Sequence, residues 1–101
     1  LPYGNSTNVT PEDGKVLLYL STITAGSFRV TIGSETPIEM GEGSIEVPYN
    51  SSVRIEAVDS TGLATFYGWY NNGEQRAFSY SPTINLTIQN MRDLIAKWGL
   101  E

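Results

Sequence analysis

The chain contains no cysteine and no histidine. Without cysteine, no disulfide can hold the fold, and thiol catalysis and cysteine-based zinc sites are excluded. Small secreted domains of animals often use disulfides, so their absence fits a prokaryotic surface protein better. Without histidine, the commonest general base is missing, as are the usual partner of a nucleophilic serine and the favoured zinc ligand. Charge is also scarce. Only 17% of residues are charged, against about 25% in typical soluble domains. Basic residues are fewest: Lys15, Arg29, Arg54, Arg76, Arg92 and Lys97 are scattered, and the net charge is −5. An acidic chain gains nothing from counterion release on a nucleic acid, and it has no basic patch for an anionic membrane. Long apolar runs are lacking too. The longest, Val16 to Leu20, is far too short to span a bilayer, so no membrane insertion by this segment is expected.

What is present points to one β-rich domain. The 101 residues are 40% hydrophobic and 11% aromatic, enough for a core. Residues 1–14 carry Pro2, Pro11, Gly4 and Gly14 with no apolar period. They read as a flexible linker or arm. From Lys15 to residue 99 the pattern is that of strands. Val16, Leu18 and Leu20 share one side, with Leu17 and Tyr19 on the other, so this strand is expected at a central position or with a partner on each side. Phe28, Val30 and Ile32 alternate with Arg29 and Thr31; Ile45 and Val47 alternate with Glu46; Val53, Ile55 and Ala57 alternate with Arg54 and Glu56. Residues 65–70, 84–88 and 94–98 continue the series. Pro37 and Gly41-Glu42-Gly43 mark a longer loop or short hairpin, and Asp59-Ser60-Thr61-Gly62 a turn. Asn72-Gly73 predicts a type I′ hairpin. Leu100-Glu101 reads as the scar ahead of a purification tag. About seven short strands imply an all-β fold, a small antiparallel β-sandwich or partial barrel. A β-grasp-like arrangement is the alternative.

Two segments are more specific. Phe66-Tyr67-Gly68-Trp69 is followed by Leu94-Ile95-Ala96-Lys97-Trp98. This F-x-G-W and L-x-A-K-W pairing, with Tyr49 to Ala57 upstream, resembles the divergent branch of the internalin B-repeat-like surface modules over residues 28–98. The resemblance implies a bead in a long prokaryotic surface protein, serving as spacer, stalk or adhesive part. It implies a secreted or cell-surface location and no catalytic residues. The strand from Lys15 to Ile23 lies outside the family pattern.

Candidate sites follow from residue type. Tyr67, Trp69 and Tyr70 are a candidate sugar-stacking platform, because aromatic faces suit the C–H patches of sugar rings; core packing is the competing role. Alternation puts Phe66 and Trp69 on opposite faces of one strand, so one of them is exposed or a bulge resets the register. Four N-x-S/T sequons, at Asn5, Asn8, Asn50 and Asn85, exceed the roughly one or two expected by chance and are candidate N-glycosylation sites. The acidic residues Glu12, Asp13, Glu39, Glu42, Glu46 and Asp59 lack the spacing of a calcium loop. No metal, cofactor or catalytic residue is therefore expected. Neighbouring domains of a parent protein or another surface protein are the expected partners. A carbohydrate-binding accessory domain of a secreted enzyme, with polysaccharide as its partner, is the alternative function.

Overall fold

The computed structural model describes residues 14–24, 26–59 and 61–100, with the Leu100 side chain excepted. The expected arm therefore lies outside the described residues up to 13. Among the described residues, eight strands run in order: β1 (Lys15–Ile23), β2 (Ser27–Ile32), β3 (Ile38–Met40), β4 (Gly43–Pro48), β5 (Ser51–Val58), β6 (Ala64–Asn71), β7 (Thr83–Ile88) and β8 (Arg92–Leu100). They form two four-stranded sheets packed face to face. Sheet A has the order β4-β1-β8-β6 and sheet B the order β3-β2-β5-β7. The fold is a small β-sandwich, not a closed barrel. The described residues contain no helix, so the β-grasp alternative does not hold.

The alternating pattern sets the core. Val16, Leu18 and Leu20 of β1, with Val47 of β4 and Leu94, Ala96 and Trp98 of β8, point inward from sheet A. Phe28 and Val30 of β2, Val53, Ile55 and Ala57 of β5, and Ile84 and Ile88 of β7 meet them from sheet B. The register stacks these side chains in rows, for Val30 lies opposite Ile55 and Ile55 opposite Ile84. Such aligned apolar rows fix register, because a one-residue slip would turn a whole row to solvent.

Three local expectations are revised. Ile38–Met40, in the stretch read as a longer loop or short hairpin, pairs with β2 as a short edge strand, with Met40 opposite Phe28. The 72–73 turn is not type I′. Glu74 N–H donates to the Asn71 carbonyl, and φ is positive at Gly73 alone. The reason is tertiary: Asn72 donates its N–H to the Asp93 carbonyl and its amide to Asp93 Oδ2, which fixes Asn72 in an ordinary conformation. The returning chain pairs with β6 only around Phe78 and Ser79, which exchange backbone bonds with Trp69 and cover that edge. Lastly, β8 continues through Leu100, opposite Ala64, beyond the boundary at residue 99.

One feature of sheet A is unusual for a small sandwich. β1 and β8 are the two central strands, and they run parallel, with Leu18 beside Arg92 and Ile23 beside Lys97. Every other strand pairing among the described residues is antiparallel. The apolar residues on both faces of β1 match its central place.

Candidate functional site

The F-x-G-W and L-x-A-K-W segments are direct neighbours. Phe66 lies opposite Trp98, Gly68 opposite Lys97 and Trp69 opposite Ala96. The register shifts between Phe66 and Gly68, so Tyr67 is the extra residue of a β-bulge. That bulge resolves the alternation conflict by turning both Phe66 and Trp69 toward the core. Gly68 is required there twice over. Its φ is +146°, and a Cβ would come within 2.9 Å of Ala77 Cβ and 3.2 Å of the Ser79 carbonyl. A larger residue would push the 77–79 segment off the edge of β6.

Trp69 is therefore core and not platform. It is 0% exposed. Its indole donates to the Pro82 carbonyl at 3.1 Å, and its ring meets Phe28 from the opposite sheet at 5.8 Å and Phe66 at 6.1 Å. Trp98 meets Phe66 edge-on at 5.0 Å. This corrects the three-ring stacking surface. Tyr67 is 47% exposed, its ring lying over the backbone of Gly99. Tyr70 is half-buried with Lys97 Nζ 4.0 Å from its ring centroid. The cation occupies the position that a stacking sugar would need.

The two outer faces of the sandwich differ in chemistry. Sheet A shows solvent Leu17, Ile23 and Tyr67, flanked by half-buried Tyr19, Ile95 and Tyr70. Sheet B carries a charge ladder: Arg29 pairs with Glu39 at 2.9 Å and with Glu56 at 3.5 Å, and Arg54 with Glu56 at 3.5 Å. The hydrogen bond from Glu39, then its charge and that of Glu56, raise the Arg29 pKa above its ordinary value. Alternation put Arg29, Arg54 and Glu56 on the outward side of their strands but did not pair them, and the apolar outer face of sheet A was signalled only by Leu17 and Tyr19.

The acidic residues are dispersed into local roles. Glu42 accepts the Thr22 N–H, Glu39 joins the ladder, and Glu46 is exposed beside Leu17. Asp59 closes the β5–β6 turn by accepting from the Thr61 hydroxyl and N–H and from the Ala64 N–H. The Thr61 hydroxyl bond, then the Ala64 bond, hold its carboxyl below the usual range. Among the described residues, no three acidic groups are grouped as metal ligands. Glu12 and Asp13 lie outside them.

Of the sequons, Asn5 and Asn8 also fall outside the described residues. Asn50 is exposed in the β4–β5 turn with φ +67°, and its side-chain oxygen accepts from Gln89. Asn85 and Thr87 are both exposed on edge strand β7. A feature not foreseen is a cleft of about 390 Å³ lined by Asn71, Asn72, Met91, Arg92 and Asp93. Arg92 donates to Asn71 Oδ1 and lies 5.8 Å from the Phe78 ring centroid. Burial lowers its pKa, with Glu74 opposing. Those contacts brace the 71–74 turn against β8. Comparison with protein-family models, curated proteins and solved structures finds no match.

Proposed function

We propose that this chain is a non-catalytic spacer and interaction module of a secreted or cell-surface prokaryotic protein, related to the internalin B-repeat-like modules. The observation that carries the reading is the parallel placement of β1 and β8. Lys15 stands three steps before Leu18, and Leu100 stands eight steps beyond Arg92, the neighbour of Leu18. At ~3.3 Å per residue, eleven steps separate chain entry from chain exit by about 36 Å. The long axis of the molecule is 45 Å. Segments joined before Lys15 and after Leu100 therefore attach at opposite ends, as a bead in series requires. An antiparallel pair would bring both to one end. The pairing of the two motif segments across β6 and β8 supports the same reading, since their aromatic residues build the core that keeps the bead rigid.

The outer face of sheet A is the surface for a neighbouring domain of the parent protein. Its Leu17, Ile23 and Tyr67 are the exposed apolar residues on β1 and β6, and the charged face of sheet B remains in water. A carbohydrate-binding role loses its main support with Trp69 in the core.

The test is to join the chain between two fluorescent reporter domains and compare the fusion with one carrying a flexible linker of equal residue count. The module should hold the reporters farther apart, and in a narrower distribution, than the flexible linker does, because the ~36 Å from Lys15 to Leu100 stays fixed whatever residues 1–14 add. A broad distribution like that of the flexible linker contradicts the spacer reading.

A further inference from the structure

We infer that β1 and β8 form a mechanical clamp, so that the module's further function is to bear tension applied along its chain. The inference rests on the reading of the chain as a spacer held at both ends. It deepens that reading by naming what the spacer resists. The direction of load is decisive. Tension enters at Lys15 and leaves at Leu100. Because β1 and β8 are parallel and adjacent, that tension slides one strand along the other. The backbone bonds between them lie across the pulling axis. Six residue pairs, from Leu18–Arg92 to Ile23–Lys97, carry the load side by side. Sliding must break these bonds together. In an antiparallel terminal pair loaded at one end, bonds break in succession.

The rest of sheet A reinforces the clamp. β4 flanks β1 over Lys15 to Leu20, and β6 flanks β8 from Leu94 to Leu100. Neither loaded strand is an edge. Inward from the clamp, Leu18, Leu20, Leu94 and Ala96 are at most 2% exposed, so water reaches the sheared bonds poorly from that side. Outward, Ser21 lies beside Ile95 and Ile23 beside Lys97, whose ammonium sits over Tyr70. The outer aliphatic and aromatic residues of sheet A thus cover the other side of the same bonds.

Single-molecule force spectroscopy tests this, because forced unfolding is governed by the barrier along the pulled direction and not by equilibrium stability. The cysteine-free chain gives unambiguous handles. One geometry pulls between the two termini and shears β1 against β8. The other pulls between Leu63→Cys and the C-terminus, which unzips β8 from β6 starting at the Ala64–Leu100 pair. Leu63 is 74% exposed, so the substitution leaves the core intact; an unchanged denaturant midpoint checks this. Unfolding between the termini should need a several-fold higher force than unfolding from residue 63. Equal forces in the two geometries, high or low, overturn the clamp. Such a result leaves the spacer reading standing, because the reporter separation is measured without load. A mobile reporter separation with a strong directional clamp would instead overturn the spacer reading and the tension-bearing role that rests on it, leaving the clamp only as a mechanical property of β1 and β8.

Discussion

Trp69→Ala should remove about 3–5 kcal/mol of stability, the usual range for deleting a buried tryptophan. In a domain with roughly 5–15 kcal/mol in total, that is a large share of the whole. The size of the effect follows from three losses at once. The ring is wholly enclosed and is the largest fully buried side chain. It bridges the sheets by touching Phe28, so truncation opens a cavity between them. Its indole bond to the Pro82 carbonyl also disappears. Tyr67→Ala, two residues away, should change stability by less than ~1 kcal/mol, as surface substitutions do. Urea unfolding of both variants measures the contrast. A sugar-stacking pair of residues would give the opposite pattern, in which Trp69→Ala leaves stability nearly unchanged.

Gly26→Ala is expected to cost about 3 kcal/mol, from backbone strain together with overpacking. Between Ile23 and Ser27 the chain passes from β1 in sheet A to β2 in sheet B, with positive φ at Thr24 and Gly26. At Gly26 φ is +102°, where a Cβ is strained. The same Cβ would lie 2.8 Å from Trp98 Nε1 and 2.9 Å from the Val58 carbonyl. Neither neighbour yields easily. Trp98 is 8% exposed and packed on Phe66, and Val58 is the last residue of β5. Gly41→Ala is the matched control, since nothing lies within 4 Å of its Cβ position and its φ is not positive. Thermal unfolding should separate the two by well over ten degrees, at about 4–8 °C per kcal/mol for a domain of this size. Equal melting temperatures would mean that the turn does not pack on Trp98.

The sandwich was legible because its signals are local. Val16, Leu18 and Leu20, or Val53, Ile55 and Ala57, announce a buried strand face by alternation alone. The central place of β1 was legible for the same reason, through Leu17 and Tyr19 on its second face. What alternation does not carry is partnership. Nothing in residues 15–23 says that their neighbour is 92–100, or that the two run parallel, because parallel pairing is fixed by contacts far apart in sequence. The 72–73 turn shows a similar limit. Asn-Gly favours type I′ by itself, but bonds to Asp93, 21 residues on, override that preference. Trp69 sits between these cases. The F-x-G-W spacing exposed the conflict with Phe66, and a bulge was one of its solutions, but only the register with Trp98 and Lys97 selects it. The apolar outer face of sheet A and the Arg92 cleft depend on which strands lie side by side, so residue patterns within single strands could not locate them.

The parallel pairing of β1 and β8 is the claim on which the spacer and the clamp both depend. It is tested most directly by the distance between its far ends. Cysteines introduced at Lys15 and Leu100, the only two in the chain, can carry spin labels for a pulsed electron–electron distance measurement. Parallel pairing requires a single narrow distance near ~36 Å, as eleven strand residues dictate. A short distance, with Lys15 and Leu100 at the same end of sheet A, would contradict it.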